Sequence, residues 1–186
     1  MLKKLGSFVA TMALTASIAH AASGDVGDRK DFQVFKDVAT SVERYAQFTI
    51  FDDVSANVTD GVVTLTGKVT MPYKRDDMEK RVAKINGVRS VRDEITVLPV
   101  SQFDDELRYR IAGSIYNNSN FWNYAIMANP PIHIVVEHGR VTLTGVVQSE
   151  VDRMLARSLA TQFGAFSVTN DLKTDAEVSA ALEKSE

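Results

Sequence analysis

One motif occurs twice in this chain. The segment Gly61–Gly67 reads GVVTLTG and returns at Gly139–Gly145 as GRVTLTG, 78 residues later. A second pair of segments, Gly87–Val91 and Gly164–Val168, repeats at an offset of 77, so one residue has been lost between the two motifs. A period of this length exceeds that of a solenoid repeat and predicts two copies of a small domain. We therefore look for function in a duplicated module and presume no single catalytic cleft.

The N-terminal segment has the pattern of a secretory signal peptide. Lys3 and Lys4 precede an apolar run from Leu5 to Ala19, and the small-residue site Ala19-His20-Ala21 follows. The run is shorter than the roughly 20 apolar residues that a membrane-spanning helix needs. We predict a signal peptide over 1–21, a short leader over 22–29, and a soluble exported protein.

Composition excludes several classes of function. Cysteine is absent, which rules out disulfides, thiolate metal sites, cysteine nucleophiles and a lipid attached to cysteine. Without Lys3 and Lys4 the 21 basic residues fall to 19 against 24 acidic ones, a net charge of −5. An acidic surface has no general attraction for nucleic acid or anionic membrane, so such binding needs a local patch.

Each copy begins with a helical pattern and continues into a hairpin. Apolar residues at spacings of three and four share one helix face, namely Val34, Val38, Val42 and Tyr45 in the first copy and Leu107, Ile111 and Ile115 in the second. Asp60-Gly61 and His138-Gly139 then predict two-residue type I′ turns. With the second turn, Val136, Ile134 and Ile132 oppose Val141, Leu143 and Gly145, which places the apolar residues on one face.

A second helix and a last strand complete each copy. The helices are predicted from Pro72 to Lys84 and from Glu150 to Gln162, with Ser149 as a capping residue. In the second of these helices, Val151, Leu155 and Leu159 are expected to form the buried face. Gly87 and Gly164 are expected to stop the helices. The predicted fold class is α+β, with two tandem αββαβ units that each pack a small mixed three-stranded sheet against two helices.

These motifs resemble those of the BON domain family. The residues that carry the resemblance are Gly61, Val63, Leu65, Gly67, Val69, Gly87, Val88 and Val91, and then Gly139, Val141, Leu143, Gly145, Val147, Gly164 and Val168, with Ala165 where the family usually has Val. The arrangement is similar to that of osmotically inducible periplasmic proteins with two such domains. The resemblance implies domains at 30–100 and 101–174, a C-terminal tail at 175–186, and a non-enzymatic envelope module that binds phospholipid or supports the envelope under stress.

The sequence nominates no catalytic, cofactor or metal site. No nucleophile elbow, phosphate loop or His-Glu-x-x-His helix is present. Beyond the signal peptide the histidines are His133 and His138, which strand geometry separates by about 16 Å, and both are expected at the surface. Export and net negative charge oppose nucleic-acid binding.

Two features distinguish the second copy and nominate a contact surface. Arg153 and Arg157 lie one helical turn apart and could meet lipid phosphates, or could belong to an ordinary solvated helix face. An insertion of about five residues carries Phe121, Trp122 and Tyr124, which could rest in a membrane interface, seal the two modules together or complete a small core. The expected partner is an anionic phospholipid surface. The alternative is a periplasmic protein-interaction module, a chaperone or adaptor that binds an envelope protein.

Overall fold

A computed structural model describes residues 26–183, with side chains from residue 31 onward. The predicted signal peptide lies outside the described residues, as do the first residues of the predicted leader. The described chain divides into two compact units. The first unit comprises the chain up to Phe48 together with Val54–Val97, and the second comprises Thr49–Asp53 and everything from Leu98 onward.

The first unit follows the predicted order of helix, two strands, helix and strand. Its elements are α1 (Val26–Glu43), β1 (Asp53–Thr59), β2 (Val62–Val69), α2 (Pro72–Val82) and β3 (Ser90–Val97). Strand β2 is central, and β3 pairs with it in parallel. The last four residues of the predicted leader, 26–29, belong to helix α1.

The second unit repeats this order and adds elements. They are α3 (Gln102–Tyr116), α4 (Trp122–Ala125), β4 (Ile132–Glu137), β5 (Arg140–Val147), α5 (Glu150–Ala160), β6 (Ser167–Asn170), β7 (Lys173–Thr174) and α6 (Asp175–Glu183), with single 3₁₀ turns at Ser119–Phe121 and Thr161–Phe163. Strand β5 is central; β4 is antiparallel to it, while β6 and β7 are parallel. The predicted tandem α+β architecture is confirmed.

Both hairpin turns have the predicted conformation. Asp60 and Gly61 have φ of 52° and 73°, and His138 and Gly139 have the same values. Positive φ at both central residues is what a type I′ turn requires. In the second unit the predicted register is also confirmed, because Val136 pairs with Val141, Ile134 with Leu143 and Ile132 with Gly145.

A carboxylate holds each turn to the helix that precedes it. Asp31 accepts hydrogen bonds from the backbone N–H groups of Asp60 and Gly61 at 2.6 and 2.9 Å. In the second unit Asp104, which is buried, accepts from His138 and Gly139 at 2.9 and 2.7 Å. We refer to this arrangement as the carboxylate clasp. It gives both turn N–H groups a partner, which water would otherwise have to provide.

The apolar helix faces form the cores. The residues predicted to form the two helix faces are all buried: Val34, Val38 and Val42 on α1, Tyr45 just after its end, and Leu107, Ile111 and Ile115 on α3. The predicted face of α5 is wrong at Val151, which is 66% exposed, while Leu155 and Leu159 are half-buried. Leu155 and Leu159 pack against the core, and the fully buried residues of α5 are Ala156 and Ala160. Small side chains let the helix approach closely there, which leaves Val151 turned toward solvent.

Candidate functional site

The structure separates the three aromatic residues of the insertion. Phe121 is fully buried in the core of the second unit, and its ring centroid lies 5.7 Å from that of Tyr124, which is also buried. Trp122, between them, is 65% exposed. Phe121 and Tyr124 therefore pack in the core, and the expectation that they contact a lipid or partner is wrong because both are buried. Trp122 is the one member of the trio that is available for contact.

The hydroxyl of Tyr124 joins the insertion to the start of α5. It accepts a hydrogen bond from the backbone N–H of Gln148 at 2.8 Å and donates one to the carboxylate of Asp152 at 3.0 Å. Burial, with the bond to Asp152, raises the pKa of Tyr124 to about 12. These two bonds link α4 to the first turn of α5, which Ser149 caps by accepting a hydrogen bond from the N–H of Asp152.

Both α4 and α5 carry exposed apolar side chains. Trp122 and Ile126 at α4, and Val151 and Met154 on α5, are each more than half exposed. Arg157, one turn beyond Met154, is also exposed. We call these five residues the α4–α5 face. The set comprises one Trp, three other apolar side chains and one guanidinium, and these types are favoured where a protein meets the boundary of a bilayer.

Arg153 is committed to contacts inside the second unit. It forms ion pairs with Glu150 and, at 3.0 Å, with Glu177 of α6, and it donates to the carbonyl of Leu172 at 3.3 Å. Hydrogen bonds to Glu150 and Glu177 raise the pKa of Arg153. The N–H of Thr174 and then Arg153 lower the pKa of Glu177. Arg153 thus braces α5 against the start of α6, and its charge is balanced there.

The two predicted arginines nevertheless line one groove. Its volume is about 580 Å³, and its lining is Glu150, Arg153, Met154, Arg157, Ser158, Thr161 and Asn170. The side-chain NH₂ of Asn170 donates to the carbonyl of Arg153 at 2.9 Å. The side-chain oxygen of Asn170 is buried and accepts no hydrogen bond from any residue between 31 and 183. The groove therefore presents cationic, anionic and acceptor groups side by side.

His133 is buried, which corrects the expectation that both histidines are exposed. It is only 7% exposed, and its Nδ1 lies 2.7 Å from the carbonyl oxygen of Asp52. The segment Thr49–Asp53 covers it, since Ile134 also donates its N–H to the carbonyl of Ile50 at 2.6 Å. The covering segment lies about 80 residues earlier in the sequence, so strand alternation alone could not reveal it. His138, in the turn, is exposed as predicted.

Burial perturbs the acid–base properties of this cluster. It lowers the pKa of His133 and raises that of the nearby Asp53 carboxyl. Thr144, the cross-strand partner of His133, is buried beside them. Asp52 turns its own carboxylate back onto the N–H and hydroxyl of Thr49, at 2.8 and 2.7 Å. The cluster fastens the segment Thr49–Asp53 to β4.

Two side chains of α3 complete the cover over the outer edge of β4. The hydroxyl of Tyr116 donates to the carbonyl of Ile132 at 2.6 Å and accepts from its N–H at 3.1 Å. Arg108, which is buried, donates to the carbonyl of Val136 at 2.5 Å. Partners of this kind keep an edge strand from pairing with another chain. The sequence signal for them is weak, because polar residues on an apolar helix are usually expected to face solvent.

Neither a metal-binding cluster nor a membrane-spanning helix is found in the described part of the chain. Between residues 31 and 183 no three His, Asp or Glu side chains are grouped so that they could hold a metal ion. Across residues 26–183 no helix has both the length and the apolar character needed to cross a membrane.

The repeated order of helix, hairpin, helix and strand defines the class of protein as one with two tandem αββαβ modules. The sequence profile of the BON domain matches residues 30–99 and 118–183. Because these matches cover more than half of the sequence, the chain belongs to the BON domain family. The family is generally non-enzymatic and is associated with envelope proteins.

The solved structures that are similar to this chain share little sequence identity with it. No curated protein matches the sequence. Among solved structures, the C-terminal domain of CdsD, a structural protein of the type III secretion system of Chlamydia trachomatis, is 12% identical with a TM-score of 0.31. That alignment covers 77% of this chain and 66% of the CdsD chain, just under two thirds. A second CdsD structure is 15% identical over 79% of this chain and 97% of that one, with a TM-score of 0.30.

Proposed function

We propose that this protein is an exported, non-enzymatic envelope protein that docks reversibly on phospholipid surfaces through the α4–α5 face and helps maintain the envelope under stress. The observation that carries the proposal is the exposure of Trp122, Ile126, Val151 and Met154 beside Arg157. The signal-peptide pattern of residues 1–21 supports export to the periplasm. The module boundaries at 30–100 and 101–174 belong to the same proposal.

The size of the face fits peripheral binding. Complete burial of a large apolar side chain is worth roughly 1.5–3 kcal/mol, and these four side chains are already partly covered, so each gains roughly half of that at a membrane. The total of several kcal/mol is comparable to the cost of immobilising a protein on a surface. Binding is therefore expected to be weak and reversible.

Charge sets a second expectation. Arg153 is balanced by Glu150 and Glu177, so Arg157 is the guanidinium of this pair that remains for phosphate. One basic residue near an anionic surface contributes about 1 kcal/mol, and the overall net charge is negative. Apolar contact should accordingly dominate, and salt should weaken vesicle binding only modestly.

Vesicle flotation tests the proposal. The protein should float with vesicles of phosphatidylethanolamine and phosphatidylglycerol, and Trp122→Ala and Met154→Ala should each reduce the floated fraction. Phe166→Ala is the matched control for Trp122→Ala, because Phe166 is an exposed aromatic residue of the same unit outside the face. Failure of the unaltered protein to float at any salt concentration, or equal loss in the control, would remove the proposal.

The rival function is a protein-interaction module, and one observation favours it. Phe103 and Phe166 are both exposed, with ring centroids 6.4 Å apart, beside the turn at Gly139. An exposed aromatic pair is a common anchor for a partner protein. If envelope extracts yield a stoichiometric partner that is lost with Phe103→Ala and Phe166→Ala but kept with Trp122→Ala, the rival is supported.

A further inference from the structure

We propose that the groove on α5 is a headgroup subsite that takes a phosphoethanolamine group, with the phosphate on Arg157 and the ammonium on the carboxylate side at Glu150 and Asn170. The inference rests on the proposed docking at phospholipid surfaces and adds a choice of headgroup. The subsite depends on the groove residues Glu150, Arg157 and Asn170, whereas docking depends on the α4–α5 face as a whole. The two ideas can therefore fail separately.

The groove offers charges of both signs along one helix face. Glu150, Met154 and Arg157 follow at spacings of four and three, so they lie on the same side of α5, with about 10 Å of helix axis between the first and the last. Arg157 is exposed, and Glu150 is more than half exposed although its Oε2 pairs with Arg153 in the same groove. Their side chains are long enough to converge above Met154. A group that carries a phosphate and an ammonium two carbons apart matches this alternation.

Asn170 adds a requirement for a hydrogen-bond donor. Its NH₂ is held by the carbonyl of Arg153, which can only accept, so the amide orientation is fixed by chemistry and its oxygen is left without a described donor. A buried acceptor without a partner is unfavourable, and a ligand N–H relieves it. Asn170 lines the same groove as Met154 and Arg157, whose exposed, unbranched side chains can change rotamer when a ligand enters.

These features select among common phospholipid headgroups. The ammonium of ethanolamine carries three N–H donors, whereas the quaternary ammonium of choline carries none. A glycerol headgroup has hydroxyl donors but no positive charge to meet Glu150. A protein of net negative charge is also repelled less by a zwitterionic surface than by an anionic one.

Titration with soluble headgroups tests the inference. Glycerophosphoethanolamine, glycerophosphocholine and inorganic phosphate are each added to the ¹⁵N-labelled protein, and the side-chain signals of Asn170 and Arg157 are followed by NMR. We expect saturable shifts with glycerophosphoethanolamine and roughly tenfold weaker binding of glycerophosphocholine, the effect of one charge-assisted hydrogen bond. Arg157→Ala and Glu150→Gln should abolish the preference.

The control variant is Arg110→Ala, which removes an exposed guanidinium from α3 of the same unit and should leave the titration unchanged. Melting curves of Glu150→Gln show whether loss of its pair with Arg153 has unfolded the unit, and Arg157→Ala provides an independent test. Equal shifts with both glycerophospho compounds, equal shifts with phosphate alone, or no shift at all would each overturn the subsite. If the titration fails but the protein still floats with vesicles, membrane docking stands without the headgroup subsite. If the titration succeeds but the protein does not float, the docking proposal fails.

Discussion

Phe121 and Trp122 are adjacent aromatic residues that should respond to truncation in opposite ways. Phe121 is fully buried among the apolar side chains of the second unit, and Trp122 is 65% exposed. We predict that Phe121→Ala destabilises the second unit and that Trp122→Ala leaves its stability nearly unchanged. We also predict that Trp122→Ala remains folded but floats less with phospholipid vesicles than the unaltered protein does.

The magnitudes follow from burial. Replacing a fully buried Phe by Ala removes transfer free energy and leaves a cavity, which together cost about 3–5 kcal/mol. Substituting an exposed residue outside the core changes stability by about 0.5 kcal/mol or less. For a unit of this size, 1 kcal/mol corresponds to roughly 4–8 °C in Tm, so Phe121→Ala should lower Tm by more than about 12 °C.

Urea and thermal unfolding followed by far-UV circular dichroism measure both variants on one scale. Trp122 is the only tryptophan, so its fluorescence also reports on the second unit of the Phe121→Ala variant. Equal, small losses of stability in the two variants would refute the assignment of Phe121 to the core. A large loss in Trp122→Ala would refute the idea that Trp122 is free to contact a membrane.

Three further predictions concern stability. Asp104→Asn should cost about 2–3 kcal/mol in urea unfolding, since an amide cannot accept both turn N–H groups as a carboxylate does; a loss below about 0.5 kcal/mol would contradict the clasp. Gly61→Ala should destabilise its unit more than Gly139→Ala does. The added methyl group would lie 2.7 Å from the backbone carbonyl of Gly87 in the first variant, and 2.7 Å from the movable ring of Phe166 in the second. Melting curves that show the reverse order would contradict this reasoning. Burial lowers the pKa of His133, so the folded protein binds a proton at this residue less readily than the unfolded chain does. The free energy of unfolding should therefore fall as the pH drops below 6.5, the ordinary pKa of histidine, toward the lowered pKa of the folded state. In His133→Asn the free energy of unfolding should depend less steeply on pH between about pH 7 and pH 5. Asp53, whose pKa is raised, acts in the opposite sense. An unchanged slope in the variant would exclude His133 as the cause.

Sequence alone determined the repeat, the two modules, the turns and the register of the second hairpin. These follow from local chemistry: Asp60-Gly61 and His138-Gly139 adopt positive φ, and alternation then places apolar residues on one face of each strand. The faces of α1 and α3 follow equally from helical spacing. Each of these features depends on residues a few positions apart.

Tertiary structure alone decided which members of the candidate surface are available. Nothing local distinguishes Phe121 from Trp122, or Arg153 from Arg157, because their fates depend on a core and on Glu177 in another element. His133 alternates as a surface residue would, yet it is buried by a segment about 80 residues earlier. Contacts between positions far apart in sequence decide burial and charge balance, and they leave the α4–α5 face as the candidate contact surface.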